Sequence, residues 1–507
     1  MLGRASGAVL VGVDARLVEV EVDLGSGLPT ISAVGLPDSA VREGIDRIRS
    51  ALRHSGYKLP ERRVTINLAP AELRKQGTSL DLPIAAGLLI ADEQLRAIDP
   101  AATLFAGELG LDGGLRPVRG ALAIALAARA AGRRTLFVPR GNADEAALVE
   151  GLSVIGLSTL ADLACASDPG PPWPRPDAAG LLRAAAAEGP ACDLADVRGQ
   201  AAARRALEVA AAGGHHLLMT GPPGAGKTML ARRLATILPP LELGEALEVT
   251  RVWSAAGLAH GLVTRRPFRA PHHGISFAGM TGGGSRLRPG EISLASHGVL
   301  YLDEMTEFRR DALEALRQPV EEGTITVVRL NASAVLPASF ALVASMNPCN
   351  CGFHGSAGER CKCTPLEIKR YLARLSGPLL DRFDLVLDVP PIELAALGRA
   401  AAGESSAMVR DRVVAARSRQ HERFGPEGPR CNAQMGPAEL DRHATLDGDA
   451  RRMLLVAGTR MGLSARGFDR VRRVARTLAD LEGRDALDAS HVAEALQYRH
   501  SATLGRD

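Results

Sequence analysis

Short continuous apolar runs alternate with stretches of helical spacing along most of the chain, which predicts strands and helices in turn. In residues 1–167 the strand-like runs are Val9–Val13, Leu17–Val22, Val64–Leu68 and Leu136–Val138, and the helical ones are Val41–Ser55, Leu82–Ala91 and Ala121–Ala131. That pattern predicts an α/β or α+β domain. Next, DPGPPWPRP at 168–176 places five prolines in nine residues, which excludes helix and sheet and opens a linker predicted to run to 190. From 191 to 395, HHLLMT (215–220), GVLYL (298–302), FALVASM (340–346) and DLVLDV (384–389) are spaced by helical stretches, the rhythm of a parallel sheet with flanking helices. From 396 to 507 the strand signals stop and helical periodicity continues, predicting a small helical domain.

Composition narrows the class. Hydrophobic residues make up 46% and charged residues 23%, the balance of a folded globular chain, and the 3% aromatic share leaves Leu, Ile, Val and Ala to fill the core. A net charge of +4 does not by itself announce a nucleic-acid or membrane surface, but the 19 Arg of residues 396–507 outnumber their 15 acidic residues, so attraction to phosphate is expected to be strongest there. The apolar stretch before Asp14 is too short for a signal peptide, and runs such as Leu82–Ala91 fall well below the ~18 residues of a membrane span. With four of the seven Cys packed between 349 and 363, these features predict a cytoplasmic protein with no membrane partner. Only five of the 61 basic residues are Lys, at 58, 75, 227, 362 and 369, so each retained Lys invites a specific explanation.

One Lys has an immediate one. Gly221-Pro-Pro-Gly224-Ala-Gly226-Lys227-Thr228 lies between an apolar strand and a predicted helix, the placement a phosphate-binding loop requires. Its backbone N–H groups would face the phosphates of ATP, Lys227 would contact the β and γ phosphates, and Thr228 would hold Mg²⁺. A second apolar strand ends in Asp303 and Glu304, suited to the Mg²⁺ shell and to polarising an attacking water. A third ends at Asn347, on the same sheet edge. Just beyond it, Cys349, Cys351, Cys361 and Cys363 form C-x-C-x₉-C-x-C, either a tetrahedral Zn²⁺ site, with His354 as a substitute ligand, or a reduced cysteine-rich loop.

Taken together, the chain resembles AAA+ ATPases, and more narrowly the YifB/ComM group of magnesium-chelatase-like proteins. The strings that carry the resemblance are PFRAPHHGIS (267–276), RPGEISLASHGVLYLDEMTEF (288–308), LRQPVEEG (316–323), SMNPCNCG (345–352), RLSGPLLDRFDL (374–385) and LSARGFDRVRRVARTLADLEG (463–483). The resemblance implies an AAA+ core at 191–395 and a helical lid at 396–507, with Asn347 as sensor 1, Arg382 as the arginine finger and Arg466 as the sensor 2 arginine. It implies a homo-hexameric ring with insertions at His272–Arg288, carrying Arg286 and Arg288, and at 321–340. The implied activity is an ATP-driven motor on branched or single-stranded DNA, in branch migration or helicase work during natural transformation. A chelatase motor subunit and a protein-remodelling ATPase, for which Phe277 would serve as a pore aromatic, are the alternatives.

Residues 75–89 and 107–132 resemble the proteolytic domain of Lon, which implies a ribosomal-S5-domain-2-like α+β fold with Ser79 at the nucleophile position. The matching segment offers Arg116 and Arg119 where the partner Lys belongs. Guanidinium does not act as a general base, and Lys75 lies on the nucleophile's own loop, so no peptidase activity is expected. Arg466, Arg470 and Arg473 share one helix face, the usual spacing of a solvated stripe.

Overall fold

The computed structural model describes residues 2–95, 98–167, 171–189, 192–284, 287–329, 332–355, 361–391 and 403–499. Arg286 of the predicted Gly/Arg insertion lies outside them. The chain is a mixed α/β protein with a five-stranded parallel sheet and a helical C-terminal region.

That sheet runs in the order Phe268–Arg269, Val299–Leu302, Ala341–Met346, Leu217–Thr220, Leu385–Asp388. Every neighbouring pair is parallel. All four residues of Leu217–Thr220 and of Val299–Leu302 are buried, as expected of strands covered on both faces. Alternate residues serve different cores. Leu217, Met219, Val299 and Tyr301 pack with the helices Ala201–Gly213 and Lys227–Ile237 and with the C-terminal helices, whereas Leu218, Leu300 and Leu302 pack with Val252, Met305 and Tyr371 on the other face.

The N-terminal residues form a four-stranded sheet, Leu2–Val11, Asp14–Gly25, Arg63–Ala69, Thr30–Val34, and a three-stranded parallel one, Thr103–Phe105, Thr135–Pro139, Ser153–Leu157. Helix Ser39–His54 buries Val41, Gly44, Ile48, Ala51 and Leu52, the stripe an amphipathic helix presents, while Asp81–Ala91 is buried nearly all round. The segment predicted as a linker keeps 171–176 free of helix and strand but then forms the helix Ala178–Ala187, capped by Asp177. Trp173 ties the proline run to the N-terminal unit, its backbone N–H donating to Val154 O and its indole to Asp144, both at 2.7 Å. Within the insertion expected at 321–340, Thr324–Arg329 pairs antiparallel with Ala332–Pro337. One of its faces, with Ile325, Val327 and Leu336, packs in a core shared with Val13, and the other exposes Val328 and Val335. Among the described residues no helix is long and apolar enough to cross a membrane.

The helical C-terminal region, expected from the sequence to form a lid, is seated by helix Ser406–Phe424, whose Val409, Val413 and Ala416 share a core with Ala201–Gly213. Its interior is pinned by Asp480, which is fully buried and paired with Arg423 and Arg476 while Asn432 Nδ2 donates to it at 2.8 Å. Removing one partner of a buried ionic cluster strands the others in low dielectric, a cost of about 3–5 kcal/mol. Asp480→Ala is therefore expected to strip amide-exchange protection from helices Ser406–Phe424 and Ala465–Glu482 while the parallel strands keep theirs. Unchanged lid protection would contradict this account of how the lid is held.

Candidate active site

The phosphate loop is built where the sequence places it. Strand Leu217–Thr220 ends at Gly221, and helix Lys227–Ile237 starts behind Gly226, whose φ of 85° a side-chain-bearing residue rarely adopts. Lys227 Nζ donates to Gly221 O at 2.6 Å, Pro222 O at 3.0 Å and Asn347 Oδ1 at 3.1 Å. Burial lowers its pKa, against the pull of the Asp303 and Glu304 charges. The ammonium thus sits partly desolvated on neutral oxygens, prepared for an anion.

Opposite it, Thr228 Oγ1 donates to Asp303 Oδ2 at 2.9 Å, and Ser345 Oγ donates to Asp303 Oδ1 at 2.6 Å. Tyr301 hydroxyl lies 3.1 Å from Ser345 Oγ and 3.3 Å from Thr228 Oγ1. Burial alone would raise the Asp303 pKa, but the hydrogen bonds of Ser345, Thr228 and Tyr301 outweigh it and hold the carboxyl below its ordinary value. Tyr301 itself is pushed up to about 12, chiefly by burial, so it stays a neutral phenol. A hydroxyl and a carboxylate converging on one point suit Mg²⁺, which takes few protein oxygens and completes its shell with water and phosphate. Glu304 follows in the left-handed region at φ 51°, a conformation costly for a non-glycine residue and concentrated at functional sites. Gly221, Gly224, Gly226, Lys227, Thr228, Asp303, Glu304 and Asn347 thus gather at the C-terminal edge of the parallel sheet.

The four thiols converge as well. The Sγ atoms of Cys349, Cys351, Cys361 and Cys363 all lie within 4.8 Å of one another, with Cys349 to Cys351 at 3.3 Å and to Cys361 at 3.7 Å. A tetrahedral zinc with Zn–S of ~2.3 Å needs S–S edges of ~3.8 Å, so the group fits that metal with small adjustments. The Cys351 thiol is lowered to about 6, first by the backbone N–H groups of Phe353 and Lys362, which supplies one ready thiolate. His354 is not part of the group.

Three family models cover this chain: magnesium chelatase subunit ChlI over residues 193–397, subunit ChlI of Mg-chelatase over 20–142, and the ChlI C-terminal model over 403–499. An uncharacterized protein of Mycobacterium tuberculosis is 45% identical over 99% of both chains. Competence protein ComM of Haemophilus influenzae is 43% identical over 97% of this chain and 96% of its own, and uncharacterized protein YifB of Salmonella typhimurium is 44% identical over 96% and 95%. The chain belongs to the YifB/ComM group of magnesium-chelatase-like proteins. A distant similarity, 26% over 173 residues, links it to a probable DNA helicase MCM9 of Oryza sativa, covering 34% of this chain and 21% of that one. Family and geometry together support an ATPase.

Two residues that the YifB/ComM resemblance marks as catalytic are not at the phosphate loop. Arg382 and Arg466 line a cavity of about 580 Å³ with Arg470, Arg473, Glu321 and Asp384. Its other walls include His216 and Phe340, and Asp384, His216 and Phe340 each immediately precede a strand of the sheet. The cavity therefore opens at the N-terminal edge. At ~3.3 Å per residue, the four residues of Leu217–Thr220 alone put ~13 Å between the two edges, farther than an arginine side chain spans. Arg382 Nη1 donates to Pro378 O, and Nη2 donates to Glu321 Oε1 at 2.6 Å. Arg470 is buried rather than solvated, its Nε 3.4 Å from Asp384, which also accepts from His215. Burial would raise the Asp384 pKa, but His215, His216 and Arg470 hold it well below its ordinary value.

Sequence reasoning missed Tyr301, Ser345 and Glu321. The first two were visible only as polar interruptions at consistent depth in strands that otherwise bury apolar residues on both faces. In the N-terminal unit, Ser79 Oγ donates to Ala8 O at 2.9 Å, while the fully buried Lys75 ammonium donates to Pro70 O. Hydroxyl and ammonium are each committed to a separate backbone carbonyl.

Ser345→Ala removes a hydrogen bond to a charged group, worth ~1.5–3 kcal/mol. The Mg²⁺ midpoint of ATP turnover is expected to rise roughly ten-fold or more, a shift of the same size, while Mg²⁺-free nucleotide binding stays as in wild type. An unmoved midpoint would count against Asp303 as the Mg²⁺ carboxylate.

Proposed function

We propose that this chain hydrolyses ATP at the seams of a homo-oligomeric ring, a hexamer by family resemblance, and uses the cycle to remodel branched or single-stranded DNA. Branch migration or helicase work in homologous recombination during natural transformation, in the cytoplasm, is the specific role. The observation that carries the ring is the separation of Arg382 and Arg466 from their own chain's phosphate loop by the depth of the sheet. The DNA assignment is supported by the similarity to competence protein ComM and to a probable DNA helicase.

In this reading ATP brings the phosphoryl group, and Mg²⁺, when bound, would supply charge neutralisation for its phosphates. Lys227 binds the γ-phosphate as a point charge, and the hydroxyl of Thr228 and carboxylate of Asp303 would hold the metal. Glu304, at the strand end, takes the proton of the attacking water, which Asn347 orients. Arg382 exchanges Glu321 for the γ-phosphate of the adjoining subunit, and Arg466 approaches the same phosphates from the lid. A guanidinium placed there stabilises charge that develops in transfer, and it ties hydrolysis to assembly.

The Lon-like N-terminal domain, residues 1–167, acts as architecture or substrate guide without peptidase chemistry, and 168–190 join it to the core at 191–395 and the lid at 396–507. Cys349, Cys351, Cys361 and Cys363 hold a structural Zn²⁺. A chelatase motor is the second reading, favoured by the match to the three magnesium chelatase ChlI family models.

ATP turnover with and without a four-way DNA junction, alongside junction remodelling, tests the DNA reading, with Lys227→Ala as the blank. Junction DNA is expected to stimulate turnover and to be remodelled only by the active protein, with binding that weakens steeply as salt rises. Stimulation by an unfolded protein or by a porphyrin and Mg²⁺, with none by DNA, would replace this reading by one of its alternatives.

A further inference from the structure

The cysteine cluster and the nucleotide loop share a wall. Strand Ala341–Met346 delivers Asn347, whose Oδ1 accepts from Lys227 Nζ at 3.1 Å, and the buried Cys349 follows two residues later. At the other end, Cys363 immediately precedes Thr364, which caps helix Pro365–Leu372 by a reciprocal box with Glu367. Tyr371 of that helix accepts from Thr306 Oγ1 at 2.7 Å, just past the Asp303–Glu304 strand end. Joining the two cysteine pairs therefore ties a strand end that carries a phosphate-site residue to a helix anchored beside the carboxylates.

Between them, the turn itself touches the phosphate loop. Gly352 stands at φ 85°, and a Cβ built there would lie 2.7 Å from Pro223 Cδ and 3.9 Å from Asn347 Cγ. Its N–H donates to Cys349 O at 3.0 Å, so the position of Cys349 sets the position of the turn. Pro223 lies between Pro222, whose carbonyl accepts from Lys227, and Gly224.

We infer that zinc bound by Cys349, Cys351, Cys361 and Cys363 braces the nucleotide site, seating the Gly352 turn on Pro223 and holding Asn347 at Lys227. This rests on the zinc reading above and extends it: the metal governs ATP affinity from outside the phosphate contacts. A bound zinc would join the two cysteine pairs through one centre; without it no metal–thiolate bond links Cys349 and Cys351 to Cys361 and Cys363, and the turn loses its anchor. The residues that touch ATP remain, but the loop that must close on the phosphates is no longer backed.

The test uses the full-length chain in three forms, wild type, Cys361→Ser and Gly352→Ala, with zinc per chain measured by mass spectrometry and binding of a fluorescent ATP analogue measured by anisotropy. Wild type is expected to carry one zinc. Cys361→Ser is expected to lose it and to bind nucleotide roughly ten- to a hundred-fold more weakly, the size of effect that small misplacement of a site produces. Gly352→Ala is expected to keep its zinc and still bind more weakly, because the added methyl lifts the turn from Pro223. If Cys361→Ser does not fold, ejecting zinc from wild type with an organomercurial, then restoring thiols and zinc, makes the same comparison, with affinity expected to fall and return. Wild type without zinc would overturn the zinc reading and the brace together. Zinc present in wild type and removable with no change in affinity, or full affinity in Gly352→Ala, would overturn the brace and leave the zinc site standing.

Discussion

A parallel strand can deliver its last residue to one edge of a sheet only, and here five strands share one direction. Everything suited to phosphate or Mg²⁺ follows from that alignment: Gly221 to Thr228, Asp303 with Glu304, and Asn347 each continue a strand past its C-terminal end. The residues just before the strands, His216, Phe340 and Asp384, line the arginine cavity at the opposite edge. In our reading these two edges carry the two halves of one hydrolytic site, kept apart within one chain by the alignment that builds each. In our reading, ring assembly is what reunites them.

The C-terminal edge is organised before any nucleotide arrives. Asp303 is held from two sides by Ser345 and Thr228, with the neutral phenol of Tyr301 behind both, so its carboxylate is oriented and kept ionised. Preorganised dipoles of this kind need no rearrangement when charge develops. The other edge is organised for exchange instead. Arg382 is occupied by Glu321, a half-exposed carboxylate on a neighbouring helix, and a phosphate from outside the chain would compete for the same guanidinium. A partly exposed ion pair yields to such a competitor at small cost.

Legibility in the sequence followed the length scale of each feature. The phosphate loop and the apolar strands before Asp303 and Asn347 could be read directly, because local spacing and burial on both faces fix them. The helices at 39–54, 81–91 and 121–130 matched their apolar spacing within a residue or two. By contrast, the role of Ser345 depends on its strand lying beside Val299–Leu302, and pairing order is not a local property. Arg470 reads as part of a solvated stripe until the lid packs it against Asp384, and Glu321 gains meaning only when Arg382, far along the chain, folds onto it. Only the last three residues of the first strand, Leu2–Val11, could be read, because its Gly and Ala positions carry little apolar signal. The contact of Gly352 with Pro223 joins two loops that no spacing rule connects.

The central claim is that a complete site takes its phosphate loop from one subunit and its arginine from another. Mixing two inactive proteins tests it most directly: Lys227→Ala, which retains Arg382, and Arg382→Ala, which retains the phosphate loop. The account predicts that each alone is silent and that the mixture recovers ATP turnover, rising and falling with the ratio of the two, because some seams then pair an intact loop with an intact arginine. A mixture as silent as its components, in rings shown to contain both chains, would contradict it.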